Sequence, residues 1–505
     1  MKYLNKIIIL ALAGGFTVSS CSKLNEDTSS LLTVGKLNTA ADVAANVAPI
    51  YRNLLNLNTL PHRLAIASYG SDDITTWSAG NKAPFRVFDR FDYGSGENSD
   101  AFMLEYPWNS YWKTIYYCNT LLYGLKSSTA DPAIVKLADG EARVFRAFSY
   151  LNLVKIYGNM PLILDGQLPT GKEQRATVLD NYKQIESDLK IAEQSLPTPG
   201  AESVGRASAG FAKSVLADLY LTWAGWPVKD ASKYPLAAAK AKEVIDYNYY
   251  TLLPISQLWT MSGGNSKEGI LALRYPSDNS VYNEVATAFT FHQGRGFSDC
   301  FPELRFFNDF PAGPRKDATF LLDIPRRGVV NGSIVTLNPP TTPWPQSDRQ
   351  HPMYNKFVTS VDLTLANVPK NYRSMQLYRY AEILLIYAEA QARVGQTAGS
   401  IEALNQVKRR AAGLAYLTPN STVDVASATP NEVVDEKGWE LAAENKRWFD
   451  LVRTERVAEI AAKRSPSEPV TLARQPTEAQ YIAPIPFGSV SLSQLVQNPA
   501  GFKIQ

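Results

Sequence analysis

The segment YRYAEILLIYAEAQARVG, residues 378–395, sets the architecture of this chain. Small residues alternate in it with aromatic residues and leucine at helical spacing. Ala381 and Ala388 allow a neighbouring helix to approach closely, and Leu384 fills the space between. Two other stretches share the style. EARVFRAFSYLNLVKIYG, 141–158, carries Ala142, Ala147 and Tyr150, and FAKSVLADLYLTWAG, 211–225, carries Ala212 and Ala217. Helix pairs of this kind stack like tetratricopeptide hairpins. Their spacing is irregular, so no regular 34-residue array is predicted.

Working outward, helical patterns run over Ala41–Leu57, Trp108–Leu125, Ala133–Tyr157, Val178–Ser195, Ser208–Trp223, Pro235–Tyr247, Ser374–Val394 and Gly399–Ala412. Glu432–Ala462 is a further stretch, broken near Asn445. Gly158 followed by Pro161 is a stop signal for the helix before it. Residues 58–107 and 250–372 break the pattern with turn residues, prolines and short strand-like runs such as GILALRY and GSIVTL. Their aromatic content argues for ordered, functional loops. The fold class is all-α: an irregular TPR-like helix-hairpin scaffold with long loop-rich insertions carrying a few short strands. One domain is expected over 40–505, with helices at about 40–250 and 371–465, a loop-rich region at about 250–372, and an irregular segment over 466–505.

The first 20 residues read as an export signal. Lys2 and Lys6 precede the apolar run Ile7–Val18, which at 12 residues is shorter than the roughly 20 a membrane-spanning helix needs. VSSC, 18–21, resembles a bacterial lipobox, so Cys21 is expected to be the lipidated residue, with 21–39 as a spacer. Several acyl chains on one cysteine make attachment firm. The formal net charge is +3, of which Lys2 and Lys6 supply two, and a near-neutral body argues against nucleic acid as a partner.

Chemistry is sparse in the sequence. His62, His292 and His351 fall in no metal-binding spacing, and no nucleophile elbow is found. No catalytic residue and no cofactor is therefore assigned. GQLPTGK, 166–172, fits the skeleton of a phosphate-binding loop. However, Glu173 stands where Ser or Thr must hold magnesium, and Pro169 removes a backbone donor, so the match reads as chance. Asp89, Asp92, Glu97 and Asp100 form either a calcium site or a solvated acidic turn; the second reading is preferred because the spacing is not that of an EF-hand. Cys118 lies in an apolar helical pattern and reads as a buried thiol, while pairing with Cys300 stays open.

Four motifs then carry a family resemblance. NKRWFDLVRTERV, 445–457, resembles the RWFDL-R signature of SusD-like (RagB/SusD) proteins. YRYAEILLIYAEAQARVG with ALNQVKRRAAGL, 403–414, resembles that family's helix pair. AFSYLNLVKIYGNMPLI, 147–163, and APIPFGSVSLSQLVQNPAGF, 483–502, resemble its first TPR-like exit and its C-terminal ending. Asn445-Lys446 departs from the Glu-Gly more usual before Arg-Trp. The resemblance implies a surface lipoprotein of the outer membrane that binds a polysaccharide or oligosaccharide. It also implies delivery to a SusC-like TonB-dependent transporter, without enzymatic activity. A peptide-binding lid of the same fold is the alternative, and a surface hydrolase the more distant one. Arg447, Trp448, Phe449 and Asp450 read as packing residues rather than ligand contacts.

Sugars present flat apolar faces edged with hydroxyls, so their sites need aromatic platforms beside polar side chains. YGSDDITTWSAGNKAPFR, 69–86, offers Trp77 with Asp72, Asp73, Asn81, Lys82 and Arg86, and the equivalent family loop often contributes to binding. Residues 275–301 add Tyr275, Tyr282 and Phe291, and TPWPQ, 342–346, holds Trp344 between prolines. Each of these aromatics reads as a ligand platform or as a loop cap over the core; for Tyr275, Tyr282 and Phe291 the cap is preferred. Trp108, Trp112, Trp223, Trp259 and Trp439 read as core.

Overall fold

The computed structural model describes residues 37–57, 66–78, 80–92, 99–167, 169–200, 205–260, 263–275, 289, 297–330, 333–357, 373–491, 493, 495–496 and 498. The leader, Cys21 and most of the spacer lie outside the described residues.

Helices α1 (Ala40–Leu57), α2 (Ala83–Asp89), α3 (Ser99–Leu125), α4 (Pro132–Tyr157), α5 (Val178–Ser195), α6 (Ala209–Trp223) and α7 (Lys233–Ile245) form the first part of the scaffold. Helices α8 (Tyr380–Val394), α9 (Ala398–Ala411), α10 (Pro430–Glu440) and α11 (Arg447–Arg453) form the second. Consecutive helices pack as hairpins, α3 on α4, α4 on α5, α6 on α7 and α8 on α9, while α8 also lies against α7 and α10. The small residues sit where they were expected: Ala142, Ala147, Ala212, Ala217 and Ala381 are fully enclosed beside Tyr150, Leu216 and Leu384. Local chemistry fixes the ends. Asp131 accepts from the Ala133 amide at 2.7 Å with Pro132 in the first turn of α4, and α4 stops at Gly158, whose φ of +77° suits glycine. Thr429 and Glu432 form a capping box at α10.

The starts of two helices differ from the sequence reading by more than one turn. Helix α3 starts at Ser99, ahead of the expected Trp108, and runs through Pro107, a residue that argues against helix when read alone. The expected helix from Ser374 begins only at Tyr380, because Met375–Arg379 forms a strand. That strand, β6, pairs antiparallel with β1 (Gly269–Leu273), Leu273 facing Met375 and Gly269 facing Arg379. Tertiary pairing overrides local helical preference there.

The loop-rich region carries β1 and four further strands: β2 (Phe320–Leu321), β3 (Asp323–Val330), β4 (Ser333–Pro343) and β5 (Met353–Tyr354). They pair as β2–β5 and β3–β4, both antiparallel, so among the described residues three two-stranded ribbons decorate the helices.

Buried charge joins the ribbons to the helices. Arg379, at the end of β6, donates to Glu268 at 3.0 Å, to Glu440 at 2.6 Å and to Glu444 at 2.9 Å. Arg410 from α9 reaches Glu268 and Glu440, and Arg315 reaches Glu436 and Glu440. All of these arginines are almost wholly buried. Such a cluster is tolerated only because each charge has partners, and removing one member strands the others.

Candidate ligand-binding site

The loop between α1 and α2 is built from the inside out. Its acids face the core. Asp72 is 1% exposed and accepts from the Arg447 guanidinium, Nε to Oδ1 at 2.9 Å, while Arg305 reaches its other oxygen. Burial pushes the Asp72 carboxyl up, and Arg447 and Arg305 more than offset this, leaving it below the ordinary value. Asp73 accepts from Ser71 Oγ at 2.5 Å and from the Ala443 amide at 2.8 Å. Burial is the largest influence on Asp73 and raises its pKa to about 6. Lys82 donates to the Phe297 carbonyl at 2.7 Å and pairs with Asp299. Asp72, Asp73 and Lys82, expected to meet ligand hydroxyls, are thus enclosed with their polar atoms engaged in holding the loop. These three polar loop residues looked available to a ligand in sequence only because most of their partners are distant in the chain.

The RWFDL signature is part of that frame. Arg447 spans from α11 to Asp72 and Asp435. Trp448 is buried against Phe91 and Gly70; a Cβ on Gly70 would sit 2.6 Å from the Trp448 ring, so only glycine fits. Asp450 accepts from Lys437 and Arg453, and Arg453 grips Glu389 with two bonds of 2.6 Å. The packing role expected for these residues matches their burial, and Phe449 is partly buried on the core.

The outer side of the loop is aromatic. Thr75 and Phe301 pair through both backbone bonds, 2.8 and 3.1 Å, which fixes the loop to residues 297–303. Phe301, Ile324 and Met353 form a small buried cluster, and both Trp77 and Trp344 pack on it while staying partly exposed. Two tryptophans far apart in sequence therefore share one base. The Arg349 guanidinium lies 5.0 Å from the Trp77 ring centroid, a cation–π placement. Trp344 meets Phe307 edge-on at 5.8 Å, and its amide donates to Leu322 at 2.8 Å. Asn81 and Phe297 are exposed. Arg86 is half-buried, its Nη1 without a hydrogen-bond partner among the described residues.

Tyr275 is buried, its hydroxyl donating to the Leu55 carbonyl at 3.3 Å, so the structure seats it as a cap over the helices. Tyr282 and Phe291 lie outside the described residues. The sequence reading missed Arg349 and the base of Phe301, Ile324 and Met353; nothing local in SDRQH or in the strand fragments marks them.

The remaining acids of 89–100 are only partly among the described residues. Asp89 is buried against Arg464 and Thr75, and Asp92 approaches Arg474 at 3.7 Å. Glu97 lies outside the described residues, among which no group of three or more His, Cys, Asp or Glu is placed to hold a metal. Cys118 and Cys300 are both buried free thiols, so they do not pair. His351 is enclosed between Glu468, at 2.9 Å, and the Arg349 carbonyl, while His62 and His292 lie outside the described residues.

Comparison with known proteins adds to this geometry. Residues 328–501 match the family described as the SusD family, and residues 50–221 match one described as "Starch-binding associating with outer membrane". The two spans together exceed half of the chain. SusD-like protein P2 of Formosa agariphila is 24% identical over 99% of this chain and 100% of its own length. A SusD superfamily protein of Parabacteroides distasonis superposes with a TM-score of 0.75 at 25% identity, covering 91% of this chain and 98% of that one. The fold is also similar to that of a laminarin-binding SusD-like protein, TM-score 0.71 at 24% identity, over 92% of this chain and 99% of that one.

Proposed function

Because this chain belongs to the SusD family, we propose that its loop face binds a polysaccharide or oligosaccharide and passes it to a SusC-like TonB-dependent outer-membrane transporter. The observation that carries the reading is the shared base of Trp77 and Trp344. Two indoles on one buried cluster, with Arg349 stacked on one of them and Asn81 exposed on the same loop, supply apolar platforms beside a polar side chain. Proteins of similar fold described as a laminarin-binding SusD-like protein and as a surface glycan-binding protein support the ligand class. The role is binding, not turnover.

Native gels containing laminarin or soluble starch test it. Wild type is expected to be retarded by one of them, and Trp77→Ala with Trp344→Ala is expected to weaken that affinity at least tenfold, about 1.4 kcal/mol. Undiminished retardation of the double variant would remove the platform. Release of reducing ends by the purified protein would overturn the non-enzymatic reading.

The mature body is held at the outer membrane by lipid on Cys21. Among the described residues no helix is long and apolar enough to cross a membrane. Cys21→Ala is expected to move the protein from the membrane pellet to the soluble fraction with glycan affinity unchanged. Persistence in the pellet after a high-salt wash would show another anchor.

A further inference from the structure

A second concavity lies apart from the loop face, and none of its lining residues belongs to 66–92 or 297–357. It is a groove of about 450 Å³ between one face of α3, described residues of the loop from Pro161 to Glu173, and Gly488, Ser489, Ser493 and Leu495. That volume falls in the ordinary range for small-molecule sites.

Its floor is an aromatic ladder. Trp112, Tyr116 and Tyr123 line the groove at helical spacing, spread over about 16 Å of helix axis at the α-helical rise. Tyr116 and Tyr123 are 42% and 46% exposed, unusual for large rings on a scaffold helix. Trp112 is held in place by edge-on contacts to Trp108 and Tyr150, at 5.9 and 5.8 Å.

Polar groups in the groove lack partners. The Trp112 indole N–H and the Thr120 hydroxyl are screened from solvent and make no hydrogen bond among the described residues. Both residues line the groove. Neither atom presents surface that a ligand oxygen can reach, so the polar groups a ligand can meet are those of the neighbouring lining residues. Asn109, Gln167 and Glu105 add further polar groups to the lining.

Charge narrows the occupant. The described lining residues include the carboxylates Glu105 and Glu173 and no lysine, arginine or histidine. Glu173 is anchored by Thr170 Oγ1 at 2.8 Å, and the Lys126–Asp165 ion pair ties the loop to the end of α3. An anionic ligand would meet repulsion, and a purely apolar one would desolvate Glu105, Asn109 and Gln167 without replacing their water. The segment GQLPTGK, which fails as a phosphate loop, forms this rim through Gly166, Gln167, Pro169 and Gly171.

We propose that this groove is a second binding site, for a short neutral oligosaccharide stacked along Trp112, Tyr116 and Tyr123. It shares with the loop-face reading only the class of ligand.

The test is retardation of the purified full chain in native gels holding soluble starch, laminarin, xyloglucan or galactomannan, all neutral polymers. Tyr116→Ala with Tyr123→Ala is expected to weaken affinity for the retarding polymer about threefold to tenfold. The loop-face double variant is expected to keep residual retardation that disappears when the groove substitutions are added. Groove variants that migrate as wild type overturn the groove and leave the loop face standing. Groove variants that abolish retardation while Trp77→Ala with Trp344→Ala changes nothing support the groove and overturn the loop face. Retardation of wild type by none of the four polymers overturns the neutral-saccharide assignment, as does recovery of full affinity in the groove variants once residues 22–36 are deleted, which would make that segment the occupant.

Discussion

Arg447→Ala is expected to destabilise the protein by about 3 kcal/mol or more, the cost of breaking a buried ion pair by removing one partner. Asp72 is fully enclosed, and without Arg447 the cation left beside it among the described residues is Arg305. The substitution also strips a partner from Asp435 and leaves a void beside Val434 and Gly438, which the guanidinium now touches. Asp72 stands five residues before Trp77 on the same loop, so the loss reaches the ligand face through backbone placement rather than through any contact with ligand. Urea midpoints measure the stability change, and gel retardation measures the affinity change. Adding Asp72→Asn to Arg447→Ala should recover part of the stability, because the stranded charge is then gone. A single-variant loss below about 1 kcal/mol, within the ordinary range for an exposed pair, would remove the signature arginine from the frame.

Glu440→Gln is expected to have a comparable effect at neutral pH, and one that fades with acid. Burial pushes the Glu440 carboxyl up, but Arg410, Arg379 and Arg315 outweigh it and bring the pKa down to about 2, against an ordinary 4.5. A group whose folded pKa lies below its unfolded one stabilises the fold fully above the unfolded value, and that contribution drains away as pH falls through the folded value. The shift corresponds to about 3 kcal/mol at 1.36 kcal/mol per unit, present above pH 4.5 and lost toward pH 2. Asp73, raised to about 6, acts in the opposite sense: its penalty is full above pH 6 and is relieved as pH falls toward 3.8. Total stability therefore mixes both signs, and the useful quantity is the gap between wild type and Glu440→Gln. That gap should be widest at pH 6–7 and close progressively below pH 4.5. A gap independent of pH from 7 to 3 would mean that the carboxylate's charge contributes nothing at this position.

Much of the helical scaffold was legible because its information is local. The alternation of alanine with tyrosine or leucine in α4, α6 and α8 records how close the neighbouring helix comes, and caps such as Asp131 and Gly158 act within a few residues. The site was legible only in part. Trp77 and Trp344 stood out as tryptophans in polar or proline-bound loops, and the structure brings them onto one cluster. Asp72, Asp73 and Lys82 had the right chemistry for sugar hydroxyls but are consumed by partners hundreds of residues away, among them Arg447, the Ala443 amide and Asp299. The same is true of Met375–Arg379, which carries a helical pattern yet pairs as a strand with β1.

By itself, then, the sequence determined the helical hairpins, capped ends such as those of α4, and the family, since periodicity, capping and signature motifs are properties of short segments. Which polar residues face solvent, which arginine holds which acid, and that α3 opens a groove toward the 161–173 loop were decided only by the tertiary structure. Burial and ion pairing depend on distances between segments far apart in the chain, and no local pattern encodes those distances.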